Sequence, residues 1–325
     1  MKKNIVKIFA SALVIATAFT ACSKKQAVTN DFEKAKMLAA NSKKDIIVFV
    51  TADGDDKSST QLISNVLENS SFKTIEDKYV VAHLDFSYKT YNKTVISEDA
   101  SEKEKKEAAA FSDVVYRNSQ FATQLNVAET PAAYLVTKEP YVISTINFDA
   151  ENPGFDDFNS ALEAAAQKAV YFHEQLAITE NGSDEEKISA IESIINATEV
   201  DFLVMLGDKV QTLINLDSEN ELGLLSKYLQ LDAKIQASKF MSRMDTINAS
   251  SLFENLAKSE FLSPEEKQDS YYNAAYVLTF SSSPDLSKII SLLSAAIEEA
   301  PESAAVANLK EIKANLSELL ENTAN

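Results

Sequence analysis

An acidic turn follows a fully apolar run in this sequence and carries side chains that could do chemistry. Residues 46–51 read IIVFVT, and residues 53–58 read DGDDKS. Where a strand ends and a helix begins, unpaired backbone N–H groups and the helix dipole favour anions and thiolates. The position therefore suits a catalytic or binding site, and its chemistry depends on the side chains that the turn supplies.

Calcium binding is one alternative for this turn. Asp53 and Asp55 occupy the first and third positions of a loop that resembles a calcium-binding loop. Such a loop also needs an oxygen ligand, a glycine and a bidentate glutamate, where this sequence has Lys57, Ser58 and Ser64. The pattern argues against calcium, and we predict no metal ligands and no cofactor.

A hydroxyl nucleophile is a second alternative, because Ser58, Ser59 and Thr60 follow the acidic residues. Such a nucleophile requires a base held close by. The two histidines are His83, on a predicted strand from which it could approach the turn, and His173, on a predicted helix. A locally bonded strand histidine and a helix-surface or interdomain histidine are the simpler interpretations. We predict no catalytic residue.

The N-terminal residues have the features of a secretory signal. Lysines precede an apolar run at residues 8–19, which is too short for a comfortable membrane span. The run ends in Phe19-Thr20-Ala21-Cys22, which resembles the lipobox of bacterial lipoproteins, although Phe19 stands where leucine is usual. The resemblance implies a signal peptide over residues 1–21, an acylated Cys22 and a tether over residues 22–29. An ordinary signal peptide followed by a chance cysteine is the alternative.

Composition limits the function further. Cys22 is the only cysteine, so a lipidated chain has no free thiol and no disulfide. This count excludes most thiol redox chemistry. The net charge of −18 disfavours nucleic acid as a partner, and loss of the signal lysines would make the chain more acidic. An acylated cysteine would anchor the protein in a bacterial membrane, facing the periplasm or the cell surface.

Helices and strands alternate in the first half of the chain. A capped helix precedes a buried strand at residues 45–52, and a helix separates it from a second buried strand at residues 79–87. This order predicts a parallel βαβ unit. There follow a solvated helix with a charge run at residues 102–107, a β-hairpin around Glu139-Pro140 and a helix that continues to residue 178.

Strand signals stop near Gly182, and residues 182–325 are predicted to form helical hairpins. One stretch near the end, from YYNAAYVLTF to AAIEEAPES, resembles a single tetratricopeptide unit. Its aromatic residues Tyr271, Tyr272, Tyr276 and Phe280 are predicted to be core residues rather than a ligand site. If the helices form an array, its concave side is a second candidate protein-binding surface.

Residues of about 30 to 178 resemble the thioredoxin-like family. Three stretches carry the resemblance: DIIVFVTADGDDKSS, YVVAHLDFS and LNVAETPAAYLV. The last matches the family's Val-x-x-x-Pro stretch, which implies a cis-proline at Pro131. The predicted fold is therefore an α/β thioredoxin-like domain followed by an all-α domain.

The departures from the family pattern concern its redox chemistry. The resemblance places Asp55 and Ser58 where the two redox cysteines would be, so the motif reads Asp55-Asp56-Lys57-Ser58. Phe49 replaces a buried aspartate that serves as proton acceptor, and Gly54 replaces a tryptophan. The resemblance thus implies a redox-inactive domain, in which a carboxylate at Asp55 stabilises the start of the helix.

The Thr130-Pro131 position has a role in the family that does not depend on cysteine. There the backbone before the proline is an exposed edge that can pair with an extended peptide. The structural alternative is that Pro131 only shapes the loop. The resulting prediction is a membrane-anchored lipoprotein that binds protein or peptide in the cell envelope. A glutathione-transferase-like enzyme and a purely structural envelope lipoprotein are the alternatives.

Overall fold

The computed structural model describes residues 28–97 and 99–324. Within this range, a five-stranded mixed sheet with its helices comes first, and an all-helical region follows. The predicted signal peptide and Cys22 lie outside the described residues.

The five strands lie in the order β1-β3-β2-β4-β5. Strands β1, β3 and β2 are parallel, β4 is antiparallel to β2, and β5 is antiparallel to β4. The predicted βαβ unit and β-hairpin are therefore confirmed. The strand bounds are β1 Val28–Thr29, β2 Ile46–Thr51, β3 Val80–Asp85, β4 Ala132–Val136 and β5 Val142–Thr145.

Six helices accompany the sheet, and seven more follow it in the described chain. The first six are α1 Phe32–Ser42, α2 Lys57–Leu62, α3 Lys73–Glu76, α4 Tyr88–Asn92, α5 Glu102–Gln124 and α6 Phe155–Asn181. The others are α7 Asp184–Ala197, α8 Gly207–Leu216, α9 Leu225–Met241, α10 Thr246–Leu256, α11 Pro264–Leu278, α12 Leu286–Glu299 and α13 Val306–Ala324. None of the helices described combines the length and the apolar character that a membrane crossing requires.

Strand β1 lies within the region predicted as a tether, residues 22–29. Val28 and Thr29 pair in parallel with Val81 and Ala82 of β3. A two-residue strand is too short to show a periodic pattern in sequence. Its pairing satisfies backbone groups at the edge of β3, so the sheet begins before the first helix.

Apolar side chains cover both faces of the sheet. Every residue of β2 is buried, as expected for a strand that is apolar on both faces. Phe49 is fully buried, and its ring centroid lies 5.1 Å from that of Phe158 on α6. The other face packs against α1 and α5 through Phe32 and Phe121. Phe49 thus contributes to the core at the position where the resemblance places an aspartate.

The apolar core continues across the predicted boundary at Gly182. This glycine ends α6, where its backbone N–H donates to the Ile178 carbonyl at 2.9 Å. However, the cluster beneath the sheet also contains Ile191 of α7, Leu213 of α8 and Tyr228 of α9. The first helices of the all-α region therefore pack as an extension of the α/β unit.

A separate apolar cluster holds α9 to α13 together. Tyr271 and Tyr272 pack partly buried against this cluster. Tyr276 and Phe280 are 49% and 46% exposed, so the prediction that they are core residues was wrong. Tyr272 and Tyr276 share one face of α11, and the Tyr276 ring also contacts that of Phe280, two residues beyond the helix, so the three rings form a row.

Candidate functional site

Asp56 is the residue that caps α2. Its Oδ1 accepts from the Ser58 N–H at 3.0 Å, and its Oδ2 accepts from the Ser59 N–H and hydroxyl at 3.1 and 2.7 Å. Burial raises the pKa of this carboxyl, but the hydrogen bonds from Ser59, Ser58 and Thr130 outweigh burial and hold the pKa below its ordinary value. Asp56 is therefore an ionised helix cap, whose oxygens are already bonded.

Asp55 does not supply the hydrogen-bonding cap of α2, which comes from Asp56, and its electrostatic stabilisation of the helix start stays a prediction. Its carboxylate instead accepts a hydrogen bond from the backbone N–H of Tyr88, the first residue of α4. The residue directly before α2 is Asp56, and its backbone is extended, as is usual for a helix cap, so Asp56 rather than Asp55 is placed to cap the helix. Asp55 and Ser58, the two positions where the resemblance places redox cysteines, thus have different contacts. Asp55 bonds to α4 through its carboxylate, whereas Ser58 donates its backbone N–H to the Asp56 cap.

The hydroxyl groups of the turn are not paired with a histidine. Ser59 is fully buried, donates to Asp56 and accepts from the Ala52 N–H at 3.0 Å. Thr60 accepts from the Gly54 N–H at 3.0 Å. His83 bonds instead to Thr51 on the neighbouring strand. The interpretation of His83 as a locally bonded strand histidine is confirmed.

A chain of hydrogen bonds links His83, Thr51 and Asp85 across β2 and β3. Thr51 Oγ1 lies 2.7 Å from His83 Nε2 and 3.3 Å from Asp85 Oδ1. Burial lowers the pKa of His83 more than Asp85 and Asp53 raise it, so the imidazole is neutral near pH 7. A Thr51 hydroxyl that donates its single proton to Asp85 accepts from His83, and this arrangement places the ring proton on Nε2. That tautomer leaves the lone pair on Nδ1.

Asp85 joins the acidic turn to α4. Its carboxylate accepts from the Asp53 N–H at 2.9 Å, the Ser87 hydroxyl at 2.6 Å and the Thr90 hydroxyl. Burial raises the pKa of Asp85, but these hydrogen bonds outweigh burial and hold it below the ordinary value. Asp85 was not identified from the sequence, although its position at the end of a strand and two residues before a helix-capping serine is a usable signal.

A cavity of about 220 Å³ lies between the carboxyl end of β3, α4 and α5. Its polar lining includes Asn30, Asp53, His83, Lys89 and Lys93. The carboxyl ends of parallel strands are a common place for ligands in α/β proteins. The long segment between β3 and β4 therefore supplies a wall of the cavity as well as a solvated helix.

The carboxylates of the turn point to different partners. Asp53 lies 3.9 Å from Lys89 Nζ and accepts from the Thr60 hydroxyl at 3.4 Å, whereas Asp55 bonds to α4. Within residues 28–97 and 99–324, no group of three or more His, Cys, Asp or Glu side chains converges in a way that could hold a metal ion.

The predicted peptide-binding edge lies beside the acidic turn. The Thr130–Pro131 bond is cis, and the Thr130 hydroxyl donates to Asp56 Oδ2 at 3.3 Å. Pro131 is buried, and β4 begins at the next residue, Ala132. In the described chain, the backbone of residues 128–130 makes no hydrogen bond to other backbone groups. The structure thus brings Thr130 and the turn together and leaves backbone donors and acceptors available there.

His173 lies on α6, away from the turn. Its Nε2 is 2.9 Å from Asp45 Oδ2, in the loop that precedes β2. The hydrogen bond to Asp45 raises the pKa of His173 above its ordinary value, against the opposing effect of burial. This histidine therefore ties the surface of α6 to the sheet.

Two comparisons relate the chain to other sequences. A family model described as an uncharacterised protein C-terminal domain matches residues 224–322, which include α9 to α12 and nearly all of α13. An "Uncharacterized protein" of Treponema pallidum (strain Nichols) is 27% identical over 157 residues. That alignment covers 48% of this chain and 51% of the Treponema protein, so it spans about half of each. The family boundary coincides with the start of the separate apolar cluster of α9 to α13.

Proposed function

We propose that this protein is a membrane-anchored bacterial lipoprotein whose first domain is thioredoxin-like, has no thiol chemistry and binds extended polypeptide in the cell envelope. The order of elements supports the fold assignment: a parallel βαβ unit, a long helix, an antiparallel hairpin and a final helix. The sequence supports the anchor through the lipobox-like Cys22.

The contact between Thr130 and Asp56 carries the proposal. It joins the candidate edge to a turn in which a carboxylate and two serines make the hydrogen bonds of a helix cap. The Thr130 hydrogen bond joins the end of this edge to the capped turn, where Ser59 is buried and bonded to Asp56. An extended peptide would add its own backbone hydrogen bonds to that edge, with side-chain contacts providing selectivity.

A photo-cross-linking experiment tests the binding edge in cells. In one variant a photoreactive amino acid replaces Glu129, which is exposed beside Thr130. In the control variant it replaces Val200, which is 82% exposed. We expect a discrete cross-linked polypeptide from position 129 and not from position 200. No product at 129, or the same products at both positions, would contradict the proposed edge.

Lipidation is tested separately from binding. Metabolic labelling with a radioactive fatty acid should label the wild-type protein, and Cys22→Ser should abolish the label and release the protein from the membrane fraction. Equal labelling of the variant would remove the anchor from the proposal and leave the binding edge unaffected.

A glutathione-transferase-like enzyme is the alternative, and the structure narrows the hydroxyl it would use. Thr51 and Ser59 are fully buried and hydrogen-bonded to neighbouring side chains, which leaves Ser58 and Thr60 as the accessible hydroxyls of the turn. Saturable heat of binding on titration with millimolar glutathione would revive that alternative.

A further inference from the structure

The cavity behind the acidic turn combines three kinds of binding group. Two lysines line one side: Lys89 on α4 and Lys93, the residue that ends α4, four positions further along the chain. Asp53 and His83 contribute a carboxylate and an imidazole. Apolar side chains complete the lining: Phe86 after β3, and Phe111, Val114 and Val115 on α5. Positive, negative and apolar groups thus face one small volume.

Not every polar group there is available to a ligand. Asp85 also lines the cavity, but donors from Thr51, Ser87 and Thr90 already occupy its oxygens. Asp53 is different, because its only side-chain partners in the described chain are a hydroxyl at 3.4 Å and Lys89 at 3.9 Å. Both contacts are long, so the Asp53 carboxylate can accept stronger hydrogen bonds from a ligand.

The cations have a similar freedom. Lys89 is 73% exposed, and its one side-chain contact among the described residues is the long one with Asp53. The Nζ of Lys93 lies 5.9 Å from the centre of the Phe111 ring. Because both lysines line the cavity and have long, flexible side chains, their ammonium groups can approach an anionic ligand with little movement of the backbone. His83 is held by its bond to Thr51, with a lone pair on Nδ1 that can accept from an N–H.

Size restricts the ligand. A volume of about 220 Å³ is below the range of about 300–1,000 Å³ that is usual for drug-sized ligands. The ligand must therefore be small, and it must bring an anionic group, a donor group and an apolar part close together.

We propose that this cavity binds a free amino acid with an apolar side chain. Its carboxylate would lie against Lys89 and Lys93, its ammonium group would donate to Asp53 and His83, and its side chain would pack on Phe86, Phe111 and the two valines. This site goes beyond the polypeptide-binding edge, since Thr130 and Pro131 do not line the cavity.

Calorimetric titration of the purified protein tests this proposal with L-leucine and two matched analogues. The compound 3-methylbutylamine lacks the carboxylate, and 4-methylpentanoate lacks the ammonium group. We expect saturable binding of L-leucine, and binding of each analogue weaker by at least about tenfold, because each loses a charge-assisted contact. Saturable binding to none of the apolar amino acids at millimolar concentration, or equal binding of the analogues, would overturn the proposal.

Substitutions of two cavity-lining residues test whether L-leucine binds in this cavity. Lys93→Gln and Asp53→Asn should each weaken L-leucine binding by about tenfold, since each removes one charged partner. Lys106→Gln and Asp113→Asn are the matched controls, because both residues are exposed on α5 and neither lines the cavity. We expect unchanged affinity in the controls. Unchanged affinity in Lys93→Gln and Asp53→Asn would place the ligand elsewhere and overturn the site.

A bulky substitution at the polypeptide edge separates the two proposals. Ala128→Trp should leave L-leucine binding unchanged, because residue 128 does not line the cavity. Loss of polypeptide binding with retained amino-acid binding would support both sites. Loss of both in this folded variant would contradict their independence.

Discussion

At the scale of single residues, the turn is organised by carboxylates that accept hydrogen bonds from nearby backbone and hydroxyl groups. Asp56 caps α2, Asp85 gathers donors from the turn and α4, and Asp55 bonds to the start of α4. The absence of cysteine from this turn is a property of the sequence itself. Which aspartate would cap the helix depended on the path of the backbone, and spacing alone could not decide it.

Replacing the capping carboxylate should destabilise the protein measurably. Asp56→Ala is expected to cost about 1–2 kcal/mol near neutral pH, because it removes the acceptor for Ser58 and Ser59. Urea denaturation measures the change. Ser58→Ala is the control, since its hydroxyl makes no hydrogen bond among the described residues, and it should cost less than about 0.5 kcal/mol.

The pH dependence of this effect has a definite sign. The folded-state pKa of Asp56 lies below its ordinary value of 3.8, so its stabilisation is present above that value and is lost as the pH falls through the folded pKa. The stability difference between wild type and Asp56→Ala should therefore shrink in acid below pH 3.8. A difference that stays constant down to pH 2 would contradict the assigned role.

The two histidines should titrate on opposite sides of the ordinary value of 6.5. Burial lowers the pKa of His83, and the hydrogen bond to Asp45 raises that of His173. Stability from His173 is present below pH 6.5 and is lost as the pH rises through its folded pKa, whereas His83 opposes folding as the pH falls below 6.5.

Two-bond ¹H–¹⁵N NMR of the imidazole rings measures both histidines at once. Near pH 7 the spectra should show a neutral His83 imidazole with its proton on Nε2. His173→Gln assigns the remaining signals to His83. A remaining histidine that protonates above pH 6.5 would be inconsistent with its buried place beside Thr51.

At the scale of elements, the regular pieces of the fold were predictable where the apolar pattern was long. The buried strands, the hairpin and the amphipathic helices all follow from period and capping signals. Strand β1 was missed because two residues are too few to show the alternation of apolar and polar side chains that indicates a strand. The exposed row at the end of α11 was misassigned because aromatic residues were taken as core without regard to the face that they share. The cavity wall formed by α4 and α5 could not be predicted, since it depends on tertiary packing.

Two phenylalanines distinguish buried from exposed positions on these elements. Phe158→Ala should cost about 3–5 kcal/mol, because its ring is fully buried against Phe49. Phe280→Ala, at an exposed position just after α11, should cost less than about 1 kcal/mol. Equal losses of unfolding free energy in the two variants would contradict the packing described.

At the scale of the whole molecule, composition and packing divide the chain at different points. Strands end before Gly182, yet the core beneath the sheet continues into α7, α8 and α9. The hydroxyl of Tyr141, the residue before β5, donates to Asp208 on α8 and adds a polar contact across the same junction. The sequence revealed where strands give way to helices. That α7 to α9 share a core with the sheet depends on which helix faces pack against it, and the sequence pattern does not show this.

Truncation tests this shared core. A chain that ends at residue 181 should expose Phe172 and Leu176 and should lack the side chains that α7 to α9 contribute, so we expect poor dispersion in its amide NMR spectrum. A chain that ends after α9, at Met241, retains this core and should give a dispersed spectrum. A well-dispersed, cooperatively unfolding chain ending at residue 181 would show that the boundary lies at Gly182.

The most direct test of the binding function is a titration of the polypeptide identified by cross-linking at position 129. Purified wild-type protein, Ala128→Trp and Ala304→Trp are compared; both alanines are exposed, and residue 304 lies in the distant turn between α12 and α13. The proposal predicts that Ala128→Trp weakens binding by at least about tenfold while Ala304→Trp leaves it unchanged. Equal affinity of all three proteins would show that the edge before Pro131 does not bind polypeptide.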